Sequence, residues 1–104
     1  MKNPNLEKLR LIETRFLQHK QSAESISFDL GDTVREIARL KAEESRLLKG
    51  DPAKDAVSRR RAALADKRAQ LTARYEAASQ STKEAIQLLN ACKEFLQARG
   101  IAVE

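Results

Sequence analysis

The stretch KGDP, Lys49 to Pro52, stands near the middle of a 104-residue chain and holds the chemistry of a turn in four residues. Glycine enters the left-handed backbone region at little cost, so Gly50 can end one helix. Asp51 can cap the next, and Pro52 suits its first position, where the missing N–H would have no partner in any case. The stretch reads as the turn of an αα-hairpin with a helix on either side. Asn3 and Pro4 give the same cap-then-proline signature earlier in the sequence, and Gly100 before Ile101 suggests a closing cap. The expectation is a single helical-hairpin domain over 1–104, with helix 1 at about 4–49, a turn at 49–52 and helix 2 at about 52–99. Each helix would be roughly 70 Å long at the usual rise.

Composition points the same way. Charged residues make up 34% of the chain and aromatics 4%, which is too polar and too poor in aromatics for an ordinary globular core. Ala, Leu, Glu, Lys, Arg and Gln are abundant, and all are strong helix formers. The expected fold is all-α, a long antiparallel hairpin.

Its two helices should pack as a coiled coil, because apolar residues recur with a 3.5-residue period along both. In helix 1 the a positions are Leu9, Phe16, Ala23, Leu30, Ile37 and Glu44, and the d positions are Ile12, His19, Ile26, Thr33, Leu40 and Leu47. In helix 2 Val57, Leu64, Leu71, Ala78, Ala85 and Cys92 occupy d, and Arg61, Arg68, Tyr75, Thr82, Leu89 and Leu96 occupy a. The turn fixes the register, so that Leu9 faces Cys92, Ile12 faces Leu89, Ile26 faces Tyr75 and Ile37 faces Leu64. Polar layers interrupt the seam, notably His19 with Thr82, Thr33 with Arg68 and Leu40 with Arg61. Gly31 and Ser81, each beside a possible capping box, could break the helices into a compact bundle. The heptad phase runs through both unchanged and favours continuity.

A basic stretch, SRRRAALADKRAQLTARY from Ser58 to Tyr75, carries six basic residues against one acid. The register gives three of them acidic neighbours on helix 1: Arg60 with Glu43, Lys67 with Glu36 and Arg74 with Asp29. Such complementarity selects chain orientation. Arg61 and Arg68 fall in the seam and must snorkel outward or find an acid. Arg35, Arg39, Arg46, Lys49 and Arg59 point outward with no acid assigned by the register, and are the candidates for contact with a partner or with phosphates. Residues 35–74 hold 12 Lys and Arg against 6 Asp and Glu, so the positive excess lies in the half nearer the turn.

The other half has more apolar residues than a two-helix seam can cover. Leu6, Leu17, Ile86, Leu88 and Phe95 form a candidate assembly surface, with Leu11, Phe28, Ile101 and Val103 also in surplus. Homodimerisation into a four-helix bundle would bury them, and a groove for a partner helix is the rival reading.

Little in the sequence points to catalysis. His19 is the sole histidine and reads as part of a polar layer, and the single cysteine, Cys92, reads as a small core residue. No residue pattern implies a catalytic, metal or cofactor site. One cysteine admits no internal disulfide and agrees with a cytoplasmic setting. No apolar run is long enough to span a bilayer, and the basic and apolar regions do not share one amphipathic helix, so no membrane partner is expected. The expected function is a non-enzymatic protein–protein interaction or adaptor module, with another, acidic protein as partner. A nucleic-acid-binding accessory protein that contacts phosphates without sequence preference is the alternative, weakened by the scarcity of aromatics for base stacking.

Overall fold

The computed structural model describes residues 3–103. Two helices pack as a hairpin, α1 over Pro4–Arg46 and α2 over Pro52–Ala98. Both begin as their cap residues dictate. The Asn3 carboxamide oxygen accepts the Asn5 N–H at 2.9 Å, and the Asp51 carboxylate accepts the Ala53 N–H at 2.9 Å. Each satisfies a donor that the first helical turn leaves without an intrahelical acceptor.

The end of α1 differs from expectation. The helix stops at Arg46 instead of continuing to about residue 49, and Leu48–Asp51 form a separate turn closed by the Asp51 N–H to the Leu48 carbonyl at 3.1 Å. Gly50, at φ +91, occupies the third position of that turn. Positive φ at this position is what a type II turn demands, so the glycine shapes the connection and not the helix end. Gly100, at φ +76, does act as a helix cap: the Ile101 N–H reaches the Leu96 carbonyl and the Gly100 N–H reaches that of Gln97, the paired bonds of a Schellman motif.

Neither Gly31 nor Ser81 breaks its helix. Thr33, which could have capped a new helix, instead donates its hydroxyl back to the Asp29 carbonyl at 2.8 Å. Thr82 does the same to Ala78, also at 2.8 Å. These back-bonds satisfy the hydroxyls inside an unbroken helix.

The chain divides into two compact units, one of the segments up to Glu24 and from Glu76 onward, the other of Ser25–Tyr75. In the first, Leu9, Leu89 and Leu96 are buried, and Leu6, Ile12, Phe16, Ile86, Cys92, Ile101 and Val103 pack against them. Leu96 is fully enclosed. Leu6 and Ile86, of the candidate assembly surface, are thus half-buried and packed against the chain's own core. The Schellman cap explains part of this, because it turns Ile101 and Val103 back onto the helix pair.

In the second unit Ile37, Leu40 and Leu71 are buried, together with Thr33. Burial of the threonine is tolerable because its hydroxyl is already bonded. Most seam positions are buried or half-buried, and three are not: His19, Arg68 and Tyr75. Arg68 carries its charge to water, and His19, opposite a threonine that bonds its own helix, gains little from burial. Tyr75 is 38% exposed, so it is only partly held by the seam position assigned to it.

Candidate interaction surfaces

Near the turn, a carboxylate from α1 ties two side chains of α2. Glu44 accepts from Arg61 Nε at 2.7 Å and from Ser58 Oγ at 2.8 Å. The hydrogen bond from Ser58, followed by that from Arg61, holds its carboxyl below the usual carboxylate range. Arg61 is thereby an ion-paired member of the seam and not an unsatisfied misfit. No buried side-chain nitrogen or oxygen among the described residues lacks a partner.

The other cations pair differently from the register's expectation. Arg60 reaches Glu36 at 3.5 Å, whereas Glu43 lies near Arg39, which also binds Glu36 through Nε at 3.0 Å. Asp32 pairs with Arg35. Arg35 and Arg39 thus pair with acids three or four residues away on their own helix, where i,i+3 and i,i+4 neighbours need little side-chain extension to meet, while Arg60 and Arg61 reach the facing helix. Glu36 is pulled below its ordinary pKa by the Arg39 hydrogen bond first, with the charges of Arg39 and Arg60 adding to it, and Arg39 is raised in turn. Among the described residues no salt bridge joins Lys67 to Glu36 or Arg74 to Asp29.

This sorting divides the five outward-facing cations. Arg35 and Arg39 have acids on their own helix, which the register did not assign to them. The signal was present in the spacing of Asp32 to Arg35 and of Glu36 to Arg39. Arg46, Lys49 and Arg59 are exposed and join no salt bridge among the described residues. Arg59 makes one long contact, 3.4 Å from Nε to the Asp55 carbonyl. Leu48 lies between Arg46 and Lys49 in sequence and is 81% exposed, a bare apolar side chain amid free positive charge.

The unit that carries the chain ends offers a different surface. Leu11, Leu17, Leu88 and Phe95 remain exposed. Phe95 has the Arg99 guanidinium over its ring at 4.3 Å, a cation–π contact that shields one face. Between the helices of this unit runs a groove of about 270 Å³, lined from α1 by Ile12, Arg15 and His19 and from α2 by Ser81, Glu84, Ala85 and Leu88. Both sets follow helical spacing, so each is one face of its helix. Small side chains at Ser81 and Ala85 leave the seam underfilled there. His19, expected inside the seam, is instead part of the groove wall. The sequence hinted at this through the pairing of a polar layer with small residues one turn away.

Among the described residues no three His, Cys, Asp or Glu side chains gather as a metal ion would require, and no helix is long and apolar enough to cross a membrane. No protein-family model matches the chain, and neither the curated proteins nor the solved structures contain a significant match to it.

Proposed function

We propose that the protein is a non-enzymatic interaction module, a helical hairpin that assembles as a homodimer through the unit bearing its chain ends and offers the cations near its turn to an acidic protein. The exposure of Leu11, Leu17, Leu88 and Phe95 in that unit carries the reading. A hairpin of this size has little core of its own, so exposed large apolar side chains beside the core favour burial against a second copy, giving a four-helix bundle. Arg46, Lys49 and Arg59, in no salt bridge among the described residues, are the outward candidates near the turn that are available to a partner, with Lys41, Lys67, Arg68 and Arg74 likewise exposed and in no salt bridge.

Light scattering of the purified chain tests the assembly. The wild type should have the mass of a dimer, and Leu88→Glu with Phe95→Glu should have that of a monomer at unchanged helicity. A monomeric wild type sinks the assembly reading. The nucleic-acid alternative rests on Arg35, Arg39, Arg46, Lys49 and Arg59, and it would need a salt-sensitive mobility shift that Arg39→Glu, Arg46→Glu and Arg59→Glu together abolish. Retention of an acidic protein partner, with no shift at low salt, favours the first reading.

A further inference from the structure

The groove between α1 and α2 has walls of opposite character. On the α1 side stand Arg15 and His19, and on the α2 side Glu84, whose carboxylate accepts from Gln80 of its own helix at 3.0 Å and joins no salt bridge among the described residues. Arg15 joins no salt bridge among the described residues, although both walls line one groove. The floor and one rim are apolar, Ile12, Ala85 and the half-exposed Leu88. At about 270 Å³ and open to solvent, the groove is smaller than the roughly 300–1,000 Å³ typical of enclosed small-molecule sites, and suits side chains of a docking helix.

We propose that the occupant is α2 of a second copy, seated so that Leu88 of each chain closes the groove of the other and Glu84 of each chain meets Arg15 of the other. The inference rests on the dimeric reading above and gives that dimer its contact face and symmetry. Charge selects the symmetry. A two-fold axis running along the helices sets α1 of one copy against α2 of the other, so the basic wall faces the acidic wall twice. An axis across the helices would set α1 against α1, with Arg15 facing its own counterpart. Like charges facing each other across an interface repel, so the first arrangement is favoured. The same two-fold makes the contact isologous, each chain presenting one and the same patch. Leu88 then acts as the apolar anchor, and the charged walls set the register.

The experiment is a charge exchange read by sedimentation equilibrium, with circular dichroism confirming that every sample keeps its helicity. Arg15→Glu alone puts two carboxylates together at both contacts, and Glu84→Arg alone puts two cations together. Each should weaken self-association by roughly tenfold or more. An equimolar mixture of the two single variants should recover association, because the heterodimer pairs Glu with Arg at one contact and Glu84 with Arg15 at the other. The doubly exchanged chain should also associate like the wild type. Recovery only in the double variant, and not in the mixture, would place the Arg15–Glu84 interaction within one chain and overturn the proposal. Dimers unaffected by either single exchange would overturn the groove as the contact while leaving the dimeric reading intact. A wild-type monomer would remove both.

Discussion

Glu44 concentrates the polar contacts of the turn-bearing unit, since Arg61 and Ser58 both reach it across the seam. Its carboxyl is held below the usual range, first by the Ser58 hydroxyl and then by Arg61. A carboxyl more acidic when folded than when unfolded adds stability that is complete above the ordinary value of about 4.3. That stability fades as pH falls through the lower, folded value. Thermal melts compared at pH 7 and pH 3 should therefore show a loss on acidification that is smaller in Glu44→Gln; an equal loss in both chains would remove Glu44 from the account. Gly31 gives a second prediction. It lies inside an unbroken helix without positive φ, and an added methyl would meet only the guanidinium end of Arg35, at 3.6 Å. Gly31→Ala should stabilise the chain by about 0.5–1 kcal/mol in urea unfolding, the helix-interior difference between the two residues. Destabilisation would mean that the site is less open than this contact implies. At this scale the sequence was readable where a residue had one thing to do. It misled where a side chain could choose: Arg39 faces outward as the heptad requires, but its partners, Glu36 and Glu43, lie on its own helix.

Helix starts were legible because cap chemistry is local: Asn3 before Pro4 and Asp51 before Pro52 each bond the backbone two residues on. The end of α1 was not, because a glycine with positive φ serves a type II turn as well as a helix cap, and the sequence does not distinguish them. At the end of α2 the Schellman cap folds Ile101 over Leu96, the one fully enclosed side chain among the described residues, and so joins a backbone motif to the core. Leu96→Ala should cost about 2–5 kcal/mol, seen as a lower denaturation midpoint with an unchanged slope. Folded domains are typically stable by only about 5–15 kcal/mol, so this one truncation would remove much of the margin of a small core. A loss under 1 kcal/mol would show that the cluster of Leu9, Leu89 and Leu96 contributes little. Heptad reading also found most of the seam, and it failed at His19 and Arg68 for a common reason. A polar residue at a core position is released to solvent when its opposite neighbour, here a threonine, satisfies itself on its own helix.

For the molecule as a whole, the positive excess lies in residues 35–74, exposed large apolar side chains occur in both compact units, and four of the twelve Lys and Arg of 35–74 have internal duties. Arg35, Arg39, Arg60 and Arg61 are all in ion pairs, which leaves the turn with Arg46, Lys49 and Arg59 as its free cations among the five outward candidates. The apolar surplus was legible as a surplus. Its division between core and surface was not, since only the packing of Ile101 and Val103 against the core shows that Leu6 and Ile86 are already used. What remains exposed in the unit that carries the chain ends, Leu11, Leu17, Leu88 and Phe95, is the physical basis for assembly, while Phe28, Val34, Leu48 and Tyr75 are exposed in the other unit. Sedimentation equilibrium of the wild-type chain over a range of concentrations is the most direct measurement. Self-association to twice the chain mass of 11.7 kDa, abolished by Leu88→Glu with Phe95→Glu, is the predicted result. A single species at the chain mass across that range would contradict it.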